Sequence, residues 1–246
     1  MKKLSIVLLV LFSSQLLAAG GTNIELQSAN VNLENKASLQ RGAKYFVNYC
    51  LSCHSAKQLR YSRMGKDLGI SPELVELNLM FTGEKIFDGM TISMRPKDAE
   101  KWFGVNPPDL SLIARSRGAD WLYTYLKSFY IDESRPFGVD NALFPKVGMP
   151  HVLSDLQGLQ KAVYKDVELE DGTVKKVIDR LEIAEPGRMN EKEFDKAMND
   201  LVNFMVYMGE PAKLERQRLG WKVLMFILVM FGIFYFLKKE YWKDIH

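Results

Sequence analysis

Both cysteines of this 246-residue chain lie in the stretch "CLSCH", at Cys50 and Cys53, and His54 directly follows the second cysteine. This cluster constrains the fold more than any other feature, because each site that it can form needs a particular local structure. The spacing is compatible with a disulfide, a redox-active dithiol, part of a zinc site, or the attachment site of a covalently bound haem. The rest of the sequence distinguishes these four alternatives.

Residues 1–19 have the layout of a secretory signal peptide. Lys2 and Lys3 give a basic start, residues 4–12 are almost entirely apolar, and small residues around Ala19 provide a cleavage site. A first membrane helix is the alternative, but the apolar part is short for a membrane span. We therefore predict that the chain is exported and cleaved near Ala19.

A second apolar run, residues 219–237, predicts a transmembrane anchor. It holds 19 residues and one charge, Lys222, which lies near its end. At a rise of about 1.5 Å per residue, a helix of this length crosses a hydrocarbon core of about 30 Å. Basic and aromatic residues follow, which is typical of contact with lipid headgroups. With an exported body, residues 238–246 form a short cytoplasmic tail at the inner membrane.

The body between these segments, residues 20–210, is long enough for one sizeable domain, which the signal peptide places in the periplasm. Two of the 33 Lys and Arg lie in the leader and seven after residue 210, whereas three of the 30 Asp and Glu lie after residue 210. The body therefore carries a formal charge of −3. This acidic balance argues against a nucleic-acid partner.

Two long helices are predicted to cross in this body. Apolar residues recur every three or four positions from Leu39 into the cysteine motif, which indicates an amphipathic helix. Gly42 lies inside this helix, and a glycine there suits a second helix that crosses closely. A helix with a cap at Asn190 and an end at Gly209 is the candidate, because it carries an apolar stripe at helical spacing.

The remaining elements are shorter. We predict helices at 72–81, 97–103 and 119–130, a β-hairpin around Asp171-Gly172, irregular chain at 131–150, and a loosely held lead-in at 20–37. The fold class is therefore mainly α, with a small β-hairpin insertion and one C-terminal transmembrane helix.

Covalent haem explains the cysteine motif best. A zinc site of this type draws ligands from two separated pairs, and no second pair exists. A thioredoxin-like dithiol would follow a strand, whereas a helical pattern precedes Cys50. A disulfide across so small a loop would add little stability. Side chains three apart share one face of a helix, so both thiols can bond one haem c while His54 binds its iron.

The second axial ligand must come from elsewhere in the chain. The other histidines are His151 and His246, and His246 lies on the predicted cytoplasmic tail. The segment "KVGMPHVL" contains both Met149 and His151. A methionine thioether would favour ferrous iron and raise the reduction potential. We predict Met149 as the ligand and keep His151 as the alternative.

Several segments carry a resemblance to a known family. The spacing of Gly42, Phe46 and the C-x-x-C-H motif resembles the first helix of class I cytochromes c. From about residue 38 to the end, the chain resembles the cytochrome c1 family, the haem subunits of the quinol–cytochrome c reductase (bc1) complex. This resemblance rests on "RYSRMGKDLGI", "SMRP", "NPPDLSLIARSRGADWLYTYLKSFY", "RPFGVDNALFPKVGMPHVL" and the "YMGEP" that precedes the anchor.

The resemblance implies a set of site residues. One haem c would be bound to Cys50 and Cys53, with His54 and Met149 as iron ligands and the "PPDLS" turn beside it. Arg117, from "IARSRG", would meet a haem propionate, to which a planar guanidinium is well suited.

The resemblance also implies the function. The chain would be an electron-transfer subunit without an active site of its own. It would carry electrons from a Rieske iron–sulphur protein to a soluble cytochrome c, beside a cytochrome b subunit and membrane lipid. The alternative is a free-standing, membrane-tethered cytochrome that donates to a terminal oxidase.

Overall fold

The computed structural model describes residues 24–168 and 172–243, so the predicted signal peptide lies outside it. The helices are α1 (Lys36–Tyr45), α2 (Tyr61–Leu68), α3 (Pro72–Asn78), α4 (Pro96–Phe103), α5 (Ile113–Arg117), α6 (Ala119–Lys127), α7 (Ser154–Gln157), α8 (Glu191–Gly209) and α9 (Lys213–Tyr241). The strands are β1 (Ala56–Arg60), β2 (Gly89–Met90), β3 (Phe129–Ile131), β4 (Val139–Asn141), β5 (Gly158–Glu168) and β6 (Val174–Pro186).

Helices α1 and α8 cross at Gly42. A Cβ added there would lie 2.0 Å from the carbonyl oxygen of Asp200 and 2.7 Å from the Cβ of Phe204, so only glycine allows this approach. Beside the crossing, the rings of Phe46 and Phe204 pack with centroids 5.6 Å apart. The Arg41 guanidinium donates two hydrogen bonds to Asp200, at 2.6 and 2.9 Å. The predicted close crossing of the two helices is confirmed.

Helix α8 supplies the central part of the core. Its first turn is closed by a capping box, in which Asn190 and Glu193 each accept a hydrogen bond from the other's backbone N–H. The helix ends at Gly209, as predicted. The predicted apolar stripe is buried throughout, and its members are Phe194, Met198, Leu201, Met205 and Met208. Helix α1, which crosses α8 at Gly42, leads directly into the cysteine motif.

The predicted β-hairpin is present and longer than expected. Strands β5 and β6 pair antiparallel from Gly158 opposite Pro186 to Glu168 opposite Val174. The predicted helices near 72–81 and 97–103 appear as α3 and α4.

Two predictions near residue 130 are wrong. The helix predicted at 119–130 ends at Lys127, and β3 follows it. The segment 131–150, predicted to be irregular, contains the whole of β4, which pairs antiparallel with β3. The hydrogen-bond periodicity of a single segment cannot reveal this pairing, because each strand's backbone partners lie in the other strand, across a loop.

The described part of the lead-in is held on the body rather than loose. The backbone N–H of Gln27 donates to Thr124 Oγ1 at 2.8 Å, and that of Asn32 donates to Asn203 Oδ1 at 3.1 Å. Side-chain oxygens on α6 and α8 thus accept hydrogen bonds from backbone N–H groups of this extended segment. The expectation of a loosely held lead-in is wrong for residues 24–35.

Helix α9 follows α8 after a short turn. Among the described residues it is the one helix that is long and apolar enough to cross a membrane, and it contains the predicted span 219–237. None of its side chains is buried against the rest of the chain. An apolar helix of 29 residues without internal packing is typical of a membrane anchor.

Candidate haem site

Helix α1 leads into the cysteine motif through a π-helical turn, Phe46–Cys50. Such turns are rare and occur frequently at functional sites. After it, the backbone N–H groups of Cys53 and His54 both donate to the carbonyl oxygen of Cys50, at 3.1 and 2.8 Å. The motif is therefore a tight turn directly at the end of the helix. Both cysteines are free thiols.

The environment of the Cys50 thiol argues against a redox-active dithiol. Burial, together with neighbouring Cys53, raises the pKa of Cys50 to about 12. Redox-active cysteines instead have a lowered pKa, because the thiolate is the reactive form. Within residues 24–168 and 172–243, no group of three or more His, Cys, Asp or Glu side chains is placed to hold a metal ion. The zinc alternative therefore lacks its ligand cluster in this part of the chain.

His54 is oriented as an axial ligand requires. Its Nδ1 lies 2.8 Å from the carbonyl oxygen of Pro108. A carbonyl only accepts, so Nδ1 carries the proton and Nε2 keeps a free lone pair. Burial lowers the pKa of His54, which favours the neutral imidazole. A backbone carbonyl behind a ligating histidine is the usual way in which proteins fix its tautomer and ring orientation.

The "PPDLS" turn is tied to the motif by further hydrogen bonds. The backbone N–H of Leu110 donates to the carbonyl oxygen of Ser55 at 2.8 Å, and Asp109 accepts from the backbone N–H of Lys57 at 3.0 Å. The carbonyl oxygen of Pro108 is therefore held in place behind His54.

Met149 lies apart from the main core. It packs on a second, small apolar cluster formed by Phe129, Val139 and Val147. Its sulfur accepts a hydrogen bond from the hydroxyl of Tyr125, at 3.4 Å.

The glycine before Met149 has a packing role. A Cβ at Gly148 would lie 2.8 Å from Val105 Cγ1. This glycine therefore permits a close contact with Val105.

His151 has a different environment from Met149. Its ring is buried and stacks on Phe129, with centroids 4.9 Å apart and planes at 3°. Burial lowers its pKa to about 4. Neither ring nitrogen has a hydrogen-bond partner among the described residues. Nothing in these contacts aims a nitrogen at an open site, and the choice of Met149 over His151 stays a prediction.

Arg117 is connected to Met149 through a row of aromatic side chains. Its guanidinium lies over the rings of Trp121 and Phe144, 5.1 and 6.0 Å from their centroids. In the part of the chain that the structure describes, it forms no ion pair. Trp121 in turn stacks on Tyr125 at 5.0 Å.

Arg115 faces elsewhere, since its Cγ lies 3.2 Å from the position of a Cβ on Gly209. The side chains of Arg115 and Arg117 therefore have different surroundings. The contact of Arg117 with a propionate stays a prediction.

The donor set fits a covalently attached haem. It comprises two adjacent thiols, an imidazole with a free Nε2, a thioether and a guanidinium without a carboxylate partner in the described chain. Two members of this region, Trp121 and Tyr125, are not among the predicted site residues. They lie four residues apart on α6, and this helical spacing is the signal that could have revealed the pair. Together, fold and site define a c-type cytochrome domain with a C-terminal membrane helix.

Comparison with known proteins narrows this class. A model of the cytochrome C1 family matches residues 84–245. Cytochrome c1 of Allochromatium vinosum is 50% identical over 246 residues, which is all of both chains. The ammonia monooxygenase gamma subunit of Nitrosomonas europaea is 47% identical over 247 residues, again all of both chains. The mitochondrial cytochrome c1 heme protein of Neurospora crassa is 29% identical over 83% of this chain and 61% of its own length.

The chain belongs to the cytochrome c1 family. Members of this family are haem c subunits of bc1 complexes and function in electron transport. The prediction of one covalently bound haem c is confirmed, and so is the predicted fold class, with its single C-terminal apolar helix.

Proposed function

We propose that this chain receives single electrons from a Rieske iron–sulphur protein and passes them to a soluble cytochrome c. Its membership of a family of bc1 subunits supports this role. The observation that best supports the site is the hydrogen bond from His54 Nδ1 to the carbonyl oxygen of Pro108, which leaves Nε2 free to bind iron. This geometry suits permanent ligation of the iron by His54 on one side, and we propose that Met149 fills the other axial position, as an electron carrier requires.

Each site residue has a separate task in this proposal. Cys50 and Cys53 hold the haem through two thioether bonds, and His54 and Met149 bind the iron. The haem supplies the one-electron chemistry. With His54 and Met149 both bound, the iron would have no open position for substrate or water, and electron transfer would need little rearrangement of ligands. The protein sets the potential through its ligands, burial and hydrogen bonds.

Arg117 would compensate a propionate charge. Its guanidinium is held by two aromatic faces rather than by an acid, so its hydrogen-bond donors remain available. Arginine pairs with carboxylates through two parallel hydrogen bonds. A cation at this position also favours the reduced haem, because reduction removes a positive charge from the iron.

The proposed arrangement in the membrane follows the sequence. Residues 1–19 are removed on export, residues 20–210 form the periplasmic domain, 219–237 cross the membrane beside a cytochrome b subunit, and 238–246 remain in the cytoplasm. Protease added to intact spheroplasts should therefore cut the domain and spare the tail. Cleavage of the tail instead would reverse the proposed orientation.

Purification from native membranes in mild detergent tests the complex. We expect the full-length chain to co-purify with a b-type cytochrome and a Rieske protein, and the preparation to reduce added soluble cytochrome c with quinol. A lone, stable chain that reduces a terminal oxidase directly would support the free-standing alternative and overturn the proposal. Co-purification with a monooxygenase would instead favour the role named for the Nitrosomonas relative.

A further inference from the structure

We propose that Asp140 is a positioning residue for Met149: its buried carboxylate binds the backbone of the turn that precedes Met149 and fixes the approach of the sulfur to the iron. This inference rests on the proposed ligand role of Met149. Asp140 is 5% exposed and belongs neither to the attachment motif nor to the ligand set. A buried carboxylate is costly unless it is fully hydrogen-bonded, so its presence in this loop needs a reason.

The carboxylate of Asp140 accepts hydrogen bonds from three backbone N–H groups. Its Oδ1 accepts from Asn141 at 2.8 Å and from Val147 at 3.0 Å. Its Oδ2 accepts from Lys146 at 3.0 Å. Within the described residues no cationic side chain forms an ion pair with Asp140, so these three donors compensate its charge. The carboxylate thus joins strand β4 to residues 146–147 across the loop between them.

The turn that Asp140 binds has a backbone conformation that its own sequence does not favour. Lys146 has a φ of 64°, and among the described residues it is the one non-glycine residue with a positive φ. Left-handed backbone is strained for a residue with a Cβ, and it persists where the surrounding structure holds it. The hydrogen bond from the N–H of Lys146 to Asp140 supplies such a hold.

The same turn determines where Met149 lies. The N–H of Val147 is bound by Asp140, and its carbonyl oxygen accepts a hydrogen bond from Arg135 at 3.2 Å. The side chain of Val147 is buried in the small apolar cluster on which Met149 packs. Val147 is therefore held through both backbone groups and its side chain, and only Gly148 separates it from Met149. Release of the turn from Asp140 should let Met149 leave the iron more easily.

Competition between Met149 and added imidazole for ferric iron tests this inference in the full-length, haem-loaded protein. We expect the wild type to show the far-red charge-transfer band of sulfur-ligated ferric haem and to bind imidazole weakly. In Asp140→Asn an amide NH₂ replaces Oδ2, so the N–H of Lys146 loses its acceptor. The binding constant for imidazole should rise by about tenfold to a hundredfold, the range that corresponds to one hydrogen bond to a charged group.

Asp132→Asn is the matched control. Asp132 lies in the loop between β3 and β4, and its carboxylate accepts a hydrogen bond from the backbone N–H of Ser134 at 3.0 Å. The substitution removes the same charge from a turn that does not contain Met149, so the affinity for imidazole should not change.

A second substitution at Lys146 tests the role of the strained turn. Lys146→Gly added to Asp140→Asn should return the affinity for imidazole part of the way to the wild-type value, because glycine adopts a positive φ without strain. Lys146→Gln added to Asp140→Asn keeps the strain and should give no recovery. Equal recovery by both would contradict the proposed hold on the turn.

Hydrogen exchange on the wild type gives a test that does not depend on the folding of a variant. Saturation with imidazole should speed exchange at the N–H groups of Lys146 and Val147, because displacement of Met149 opens the turn. Exchange at Leu143 and Phe144, whose N–H groups are bound by the side chain of Asn141, should stay unchanged.

The outcomes separate this inference from the proposed function. If the wild type lacks the far-red band, Met149 is not the ligand, and both the assignment and the inference fail. If the band is present and Asp140→Asn binds imidazole as weakly as the wild type, the inference fails alone. An equal gain of affinity in Asp132→Asn, or displacement of Met149 without faster exchange at Val147, would also overturn it.

Discussion

Gly42→Ala should destabilise the haem domain by loosening the crossing of α1 and α8. The new Cβ would lie 2.0 Å from the carbonyl oxygen of Asp200, whereas ordinary contacts begin at 3.4 Å. The helices must therefore separate by about 1.4 Å at this point, the difference between these distances. Separation would also weaken the contact between Phe46 and Phe204 and the hydrogen bonds from Arg41 to Asp200.

The magnitude can be worked from these contacts. Overpacking costs about 1–3 kcal/mol, and a collision with backbone belongs at the upper end of that range. Against this cost, alanine stabilises a helix interior by about 1 kcal/mol relative to glycine. The net loss is about 2 kcal/mol, which lowers Tm by about 4–8 °C in a domain of this size.

Thermal and chemical unfolding of the haem-loaded chain in detergent, followed by far-ultraviolet circular dichroism, measures this loss. Gly232→Ala is the matched control, because among the described residues nothing beyond the adjacent backbone of its own helix lies within 4 Å of the added Cβ. A Gly42→Ala protein as stable as the wild type would contradict the reasoning, since it would mean that the helices do not touch at Gly42.

Three further predictions concern the site and the anchor. Met149→Leu should leave the haem attached, because the thioethers remain, but abolish the far-red band and lower the potential strongly; an unchanged potential would transfer the ligand role to His151 or another residue. Arg117→Gln should lower the potential in a redox titration because a cation beside the haem is lost, whereas Arg115→Gln should not; equal shifts would argue against a propionate contact. Truncation after Glu210 should give a water-soluble haem protein with an unchanged spectrum, because no side chain of α9 is buried; aggregation of that fragment during size-exclusion chromatography would oppose the predicted domain boundary.

Local sequence patterns predicted the elements that carry their own signals. The C-x-x-C-H motif, the cap at Asn190 and the apolar run of the anchor each specify a structure within a few residues. Gly42 predicted a close helix crossing because a glycine inside a helix needs a packing reason. These features required no knowledge of distant contacts.

Features that depend on distant contacts were missed. Strand β3 follows a helical pattern, and its pairing with β4 decides its conformation. The π-helical turn before Cys50 has no sequence signature of its own. The polar sequence of the lead-in predicts a loose segment, and its partners, such as Thr124 and Asn203, lie too far along the chain for local patterns to reveal. Likewise, the link from Tyr125 to Met149 spans a loop and becomes visible only in three dimensions.

The ferric and ferrous spectra of the purified full-length chain at neutral pH test the central claim, that His54 and Met149 both hold the iron. We predict a low-spin ferric haem with the far-red sulfur band, and a ferrous form that does not bind carbon monoxide. A high-spin ferric spectrum together with rapid carbon monoxide binding would mean an open iron position and would contradict this account.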